Sequence, residues 1–560
     1  MLAKEEYLRW KNHSLEDVDL VNEINSLDEE QINDAFYCDL EFGTGGLRGV
    51  IGVGTNRMNI YTVSKATQGL SDYINNTFSQ EDRVVAISRD SRIKSDVFAR
   101  CAASVFAANN IKVLMYDDIS PVPTLSYAVR YLKCCVGVMI TASHNPAKYN
   151  GYKVYGSDGC QITTEAAKEI YSYIQKVDVF DGYKTISFEK GRKAGLISII
   201  PSIVIDSFIE EIKNQSLLGN EIIDKNISIV YSPLNGTGLR PITRALEELG
   251  YTNVIIVKEQ EKPDGNFPTC PYPNPEIKEA LQLGLEYCKK YSADLMLATD
   301  PDCDRVGIAV KNADGDYTLL SGNEVGILLL DYVCSRRIAL NKMPKNPLLI
   351  KTIVTMDLAE KIAESYGLKT INVLTGFKFI GEQIGLLEKN HREDDYVFGF
   401  EESYGYLTGT YVRDKDGVNG ATMICEMFVY YKSKGISLLD KLQELWNKYG
   451  YCLNTLHSFE FNGESGASKM KTIMEYFRNN TIDIPDFTAH QKLDYFNGLD
   501  GLPKSNVVKL VGDSGSIVFR PSGTEPKMKV YLSMHGKDKE TALVKEKKIS
   551  NYLSSVINNW

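Results

Sequence analysis

The chain is poor in the features that mark whole classes of protein. Its eleven cysteines include no C-x-x-C pair, and the adjacent Cys134 and Cys135 make neither a zinc site nor a disulfide framework. Apolar runs such as "VGILLLDYV" fall well short of the roughly 20 residues a membrane-spanning helix needs. The opening "MLAKEEYLRW" is too charged for a signal peptide. Positive charge is in deficit, 63 Lys and Arg against 73 Asp and Glu, for a net charge of -10. That balance argues against a general nucleic-acid binder, while leaving room for local basic pockets that hold small anions. The expectation is a protein of the reducing cytoplasm with no membrane and no nucleic-acid partner. At 560 residues and 43% hydrophobic, it is long enough for roughly three to five domains.

What the chain does have is a series of short apolar strands that each run into a polar loop: "RVVAISRDSR", "ISIVYSPLNGTG", "ADLMLATDPDCDR", "PLLIKTIVTMD" and "DYVFGFEESYG". Near-continuous apolar strands mark a sheet covered on both faces. Helical patterns such as "SDVFARCAASVFAANN" and "MDLAEKIAESYG" lie between them, the latter stopping at Gly367. The strands at 84–90, 227–233 and 347–355 open similar alternations, which predicts three related α/β units. The last hundred residues differ. "GSIVFRPSGTEPKMKVYLSMHG" reads as two strands around a Gly and Pro loop, followed by a charged helix, in a smaller α+β domain.

In open α/β sheets, ligands sit beyond the carboxyl ends of strands, where these polar clusters fall. "VGVMITASHNPAKYNGYKV" carries a strand into Ser143 and His144. Ser143 is either a loop hydroxyl beside a helix start or a nucleophile held up at the end of a rigid sheet. Neighbours in an extended segment point to opposite sides, so Ser143 and His144 cannot be assumed to form a serine-histidine couple, and there is no G-x-S-x-G elbow. Help for such a nucleophile comes from "TDPDCDRVG", in which Asp300, Asp302 and Asp304 alternate and converge on one side of an extended or gently curved loop. Clustered carboxylates raise one another's pKa unless a cation neutralises them. Hard oxygen donors in that number favour Mg²⁺, admit Mn²⁺ and disfavour zinc. An EF-hand fails, because counting from Asp300 puts Arg305 and Lys311 where glycine and glutamate are required. A solvated turn is the remaining alternative, opposed by the buried "LMLAT" strand and by Pro301, which stiffens the loop.

Two further clusters suit a phosphorylated sugar. In "FRPSGTEPKMKV", Arg520 offers a forked guanidinium, and Ser522, Gly523 and Thr524 offer hydroxyls and backbone N–H groups for a phosphate dianion. Lys527 and Lys529 add charge, and a plain strand-to-strand turn is the competing account. In "FGFEESYGY", Glu401 and Ser403 are spaced to grip paired sugar hydroxyls, although glutamates of this kind are most often solvated surface residues.

Together "GTGGLRG", "TASHNPAKYNGYKVY", "TDPDCDR", "GFEES" and "RPSGTEP" resemble, in order and spacing, the alpha-D-phosphohexomutases, and within them the phosphoglucomutase and phosphopentomutase branches. The resemblance runs from about residue 41 to about residue 531. It implies four domains around a central cleft: 1–205 with a phosphoserine loop, 206–322 with a metal loop, 323–445 with a sugar loop and 446–560 with a phosphate-binding loop. By position it makes Ser143 the phosphoserine and gives one Mg²⁺ per chain to Asp300, Asp302, Asp304 and the Ser143 phosphate. It also implies phosphoryl-end roles for Arg48, His144, Lys153 and Arg305, with Lys153 or Lys378, the latter from "TGFKFIGE", carrying the proton. The expected reaction interconverts glucose 1-phosphate and glucose 6-phosphate through a hexose 1,6-bisphosphate, in a monomer or homodimer. A pentose phosphate is the alternative substrate, followed by mannose phosphate or bisphosphate synthesis. Mannose is disfavoured because Tyr404, Gly405 and Tyr406 stand where the bacterial phosphomannomutase form has glycine-histidine. A phosphatase would need a DxDx[TV] start, and "DPDCDRV" lacks it. A silent sugar-phosphate binder could have lost the serine or the aspartates, and both are intact.

Overall fold

Val136–Ile140 is apolar and buried at every position, so it needs cover on both faces. In a computed structural model, which describes residues 2–43, 45–461, 463–480, 482–522 and 527–560, helices provide it. The strand lies inside a six-stranded sheet whose order runs Gly46–Val50, Tyr149–Gly156, Val136–Ile140, Val84–Arg89, Lys112–Met115, Ile197–Ile199. The last four strands are parallel to one another, and the first two close the edge antiparallel.

Two more sheets repeat this plan. In the second, Leu295–Thr299, Ile229–Ser232 and Val254–Ile256 are parallel, and Val306–Lys311 and Tyr317–Leu320 complete the edge antiparallel. In the third, Lys369–Val373, Leu348–Thr352 and Tyr396–Glu401 are parallel and Gly405–Leu407 returns antiparallel. The fourth sheet is antiparallel throughout, in the order Tyr451–Glu460, Lys527–Gly536, Gly515–Pro521, Val508–Gly512, Ala489–Asp494, and the helix Lys539–Asn558 packs on it. The architecture is therefore three α/β/α units and an antiparallel C-terminal unit, the four-part α/β plan expected from the strand pattern.

Local chemistry sets the ends of the elements. Ser321 and Glu324 form a reciprocal cap on the helix Gly322–Ala339, and Asp416 caps Gly417–Ser433 through Val418 and Asn419. Gly367 takes the left-handed conformation that ends the helix Leu358–Ser365, φ 78°. The second and third sheets share one continuous apolar core, into which Tyr127 of the first unit and Cys452, Val518 and Tyr531 of the fourth also pack, and the first and fourth have further cores of their own. Three helices within Leu2–Phe36, which the sequence pattern did not single out, form a separate cluster around the fully buried Trp10. All eleven cysteines are free thiols. Among the described residues, no helix is long and apolar enough to cross a membrane.

Candidate active site

Each α/β unit ends its innermost parallel strand in a loop that turns back into the antiparallel edge. These three loops hold Ser143, the Asp300–Arg305 stretch, and Glu401 with Ser403. Each has one non-glycine residue in the left-handed region: Ser143 at φ 53°, Cys303 at φ 52° and Tyr404 at φ 65°. Such conformations cost roughly 1 to 3 kcal/mol each and persist where the surroundings impose them.

The surroundings of Ser143 are specific. Its N–H donates to Thr141 Oγ1 at 2.8 Å, and its carbonyl accepts from Arg92, whose guanidinium also bonds the carbonyls of Asn145, Pro146 and Tyr149. The buried Arg92 thus holds the loop open from beneath, with Asp90 as its counter-ion at 3.3 Å. The left-handed turn also overturns one expectation. Ser143 is not extended, so the side chains of adjacent residues converge and Ser143 Oγ lies 3.2 Å from His144 Nδ1. Burial, followed by the charges of Arg305 and Arg48, holds His144 well below the ordinary histidine value, so its imidazole is neutral and able to accept.

On its other side, Ser143 Oγ donates to Asp300 Oδ2 at 3.0 Å. Asp300, Asp302 and Asp304 are buried, and each has a carboxylate oxygen within 4.8 Å of the others'. Lys153 Nζ is 2.9 Å from Asp302 and 3.7 Å from Asp304, and Arg305 Nε lies 4.0 Å from Asp300 and 3.8 Å from Asp304. Burial and mutual repulsion push Asp300 and Asp304 up from the usual carboxylate range. At Asp302 burial acts the same way but is outweighed by Lys153 and Lys415, so that carboxyl is held down. The loop backbone is pinned by helix starts. Pro301 O accepts from Thr237 N at 2.9 Å, Asp302 O from Val122 N at 2.9 Å and Cys303 O from Gly417 N at 3.1 Å. The latter two N–H groups open the helices Val122–Tyr131 and Gly417–Ser433, whose positive dipole ends face the carboxylates.

The donor set fits a hard divalent cation. Asp302 Oδ1 and Asp304 Oδ1 are buried with no hydrogen-bond partner among the described residues, and every available ligand is oxygen.

The residues expected to grip the sugar adjoin this cluster. Glu401 is 5% exposed, and burial pushes its carboxyl up to about 7, against the pull of Lys415 and Arg305. Glu402 accepts from Thr352 and Thr355, and Val306 N donates to Tyr404 O at 3.1 Å, tying the sugar loop to the strand that follows the aspartates. Arg48 reaches Asn145 at 3.4 Å. The two lysines expected as proton carriers are set apart. Lys153 touches the aspartates, whereas Lys378 lies over the Phe379 ring beside Cys160 and Glu382, its pKa brought down to about 8 by burial. Arg520 stands on the fourth sheet opposite Lys529 and hydrogen-bonds Tyr531, which also feels Glu402. Ser522 N donates to Lys527 O at 2.7 Å across the mouth of the hairpin. Gly523 and Thr524 lie outside the described residues.

Sequence reasoning missed Lys415. Its Nζ is 2.8 Å from Asp304 Oδ2 and 3.5 Å from Asp414, and it connects the aspartates to Glu401. The signal was present in "VRDKDG" but indistinguishable from a solvated charge run. Arg92 and Asp90, in "SRDSR", were likewise read as a polar loop and nothing more.

Comparison with known proteins agrees with this geometry. Residues 39–179, 206–315 and 321–449 match the families described as "Phosphoglucomutase/phosphomannomutase, alpha/beta/alpha domain I", domain II and domain III. A phosphoglucomutase of Staphylococcus saprophyticus is 35% identical over 543 residues, 94% of this chain and 96% of that protein. The open form of parafusin, a phosphoglucomutase of Paramecium, superposes with a TM-score of 0.69 at 17% identity, covering 93% of this chain and 96% of its own. A putative phosphomannomutase of Thermus thermophilus gives 0.68 at 21%, covering 92% and 99%. Fold, site and matches together define an isomerase that acts as a phosphosugar mutase. The chain belongs to the alpha-D-phosphohexomutase superfamily, near the phosphoglucomutases.

Proposed function

We propose that the protein interconverts glucose 1-phosphate and glucose 6-phosphate, with Ser143 as the residue that carries the phosphoryl group between turnovers. The observation that carries this reading is the position of Ser143 Oγ, fixed in a left-handed turn, 3.0 Å from one of three buried aspartates. That hydroxyl already hydrogen-bonds within the cluster, donating to Asp300 beside the His144 ring. It is also well placed to lose and regain a charged group where that charge is compensated.

The chemistry follows in order. A free sugar hydroxyl attacks phosphorus, the bond from phosphorus to Ser143 Oγ breaks, and a bisphosphate forms. Lys153, an ammonium touching the same carboxylates, gives its proton to Ser143 Oγ as that oxygen leaves and is replenished by the proton of the attacking hydroxyl, so the freed serine is neutral and no net proton is gained or lost. Arg305 and Arg48 face the three non-bridging oxygens and stabilise their charge as the group passes, the main source of acceleration in phosphoryl transfer. Mg²⁺ held by Asp300, Asp302 and Asp304 would add positive charge at those oxygens and lower the barrier further. The neutral His144 accepts from the freed Ser143 hydroxyl. Glu401 and Ser403 hold the sugar hydroxyls, and Arg520 with the Ser522 loop holds the distal phosphate. The bisphosphate then reverses end for end and returns its other phosphoryl group to Ser143. Closure of the C-terminal unit about Gly450 keeps water from intercepting that group.

The test is an intact-mass measurement. Purified wild-type protein is expected to carry one phosphate that glucose 1-phosphate turnover exchanges. Ser143→Ala should carry none and lose turnover. Full activity in an enzyme that never bears phosphate would overturn the scheme. A panel of glucose, mannose and ribose 1-phosphates with trace bisphosphate fixes the sugar, and faster turnover of ribose would assign the pentose reaction instead.

A further inference from the structure

A cavity of about 240 Å³ lies where the third unit meets the C-terminal unit. The helix Leu438–Tyr449 ends there at Gly450, in the left-handed half of backbone space at φ 92°, and the strand Tyr451–Glu460 begins. The walls are basic. Lys361 comes from the helix Leu358–Ser365, Lys537 follows the strand Lys527–Gly536, and Lys545 comes from the helix Lys539–Asn558. Asp513 is the acidic member of the lining, and its side chain is fully exposed. Three ammonium groups against one solvated carboxylate is an unusual local balance in a chain of net charge -10.

His535 supplies the second observation. Its carbonyl accepts from Lys545 Nζ at 3.1 Å, and its N–H donates to Ser514 O at 2.8 Å. Its Nε2 is buried with no hydrogen-bond partner among the described residues. A buried orphan of this kind is destabilising until a hydrogen-bond partner reaches it. Burial, then Lys361, holds His535 below the ordinary histidine value, so the ring is neutral and offers one N–H rather than a further charge.

We propose that this cavity is a second anion site, which takes a phosphate dianion between His535 Nε2 and the ammonium groups of Lys361, Lys537 and Lys545, either free or as the phosphate of a small metabolite. Lys361 belongs to one unit and the other three residues to the next, so an occupant draws the two together across Gly450. The same joint already carries a polar tie, in which Asp357 accepts from Lys509 at 3.0 Å and from Ser516 at 2.5 Å. The site therefore acts on the setting of the C-terminal unit. Binding itself does not depend on the mutase reading.

The test uses full-length protein with ring-¹⁵N histidine, of which there are six. His535→Gln and His144→Gln assign two signals, one in each site. Inorganic phosphate and glucose 6-phosphate are titrated separately. The His535 signal is expected to shift saturably at roughly millimolar ligand. Lys361→Ala and Lys537→Ala, both at exposed positions, should each weaken that response by about fivefold and leave the His144 response unchanged. The tighter of the two ligands identifies whether free phosphate or a phosphorylated metabolite is the occupant. A His535 signal that stays fixed while His144 responds overturns this site and spares the mutase reading. A His535 shift that survives both lysine substitutions undiminished overturns it as well.

Discussion

Lys415 shows how much one side chain decides here. Its ammonium group lies 2.8 Å from the buried Asp304, so Lys415→Met removes that carboxylate's nearest positive charge and leaves only the more distant Lys153 and Arg305, a change worth at most about 3 to 5 kcal/mol. Expected in EDTA is a clear fall in the thermal midpoint, part of which Mg²⁺ restores because the cation replaces the lost charge. Differential scanning fluorimetry with and without metal checks this. Glu401 gives a pH signature. Its folded value of about 7 lies above the ordinary 4.5, so the folded state binds the proton more tightly. The associated stability is fully present below about 4.5 and is lost as pH rises through about 7. Glu401→Gln removes the charge and should be more stable than wild type at pH 8, by at most about 3 kcal/mol, with the gap closing by pH 4.5. Thermal melts across that range decide the matter; a gap that grows towards acid would contradict it. Lys153→Met is expected to cut kcat by about 10² to 10⁴, whereas Lys378→Met, placed beside Cys160 and Glu382, should act mainly on KM. These residues also mark where sequence reading stops. Ser143 and the aspartates were legible because each follows an unbroken apolar strand. Lys415 was not, because burial of "VRDKDG" is a property of the packed chain and not of its composition.

At the scale of elements, the three site loops are the same structural device used three times: a parallel strand, a left-handed residue, an antiparallel return. The strands were readable from their apolar runs and the loops from their polarity. The left-handed residues were not, since serine, cysteine and tyrosine do not advertise that conformation. This is why the contact between Ser143 and His144 was not anticipated. Helix starts lock the loop of the aspartates, and one close approach is at Gly417, where a Cβ would stand 2.6 Å from Cys303 O. Gly417→Ala must therefore push the helix Gly417–Ser433 away from the aspartates, at a cost of about 1 to 3 kcal/mol. Calorimetric titration should show Mg²⁺ affinity reduced about tenfold or more, with an unchanged far-ultraviolet circular dichroism spectrum. Wild-type affinity in this variant would mean that the helix start does not position the loop.

Across the whole molecule, the C-terminal unit has a core of its own but also sets Cys452, Val518 and Tyr531 into the core that the second and third sheets share, so apolar contact bears on its setting as well as the polar joint. The tie at Asp357 restrains it. Burial alone would raise this carboxyl, but Lys509, Lys351 and Ser516 bring it down to about 2. A depressed carboxyl contributes stability that is present above its ordinary 3.8 and is lost as pH falls through about 2. Asp357→Ala is expected to loosen the joint at neutral pH, seen as a larger radius of gyration in small-angle scattering and faster tryptic cleavage near Gly450. An unchanged scattering profile would assign the restraint to other contacts.

The amino-acid order alone determined the number and kind of units, the strands whose ends bear chemistry, and the serine and three aspartates, because strand burial and hard-donor clustering are local patterns written in consecutive residues. Tertiary structure alone decided that Ser143 faces Asp300, that Lys415 and Arg92 complete the cluster, and that His535 Nε2 has no hydrogen-bond partner among the described residues where three lysines gather. Those facts join residues far apart in the chain, and electrostatic compensation in a buried site depends on distance in space, which composition and spacing do not carry.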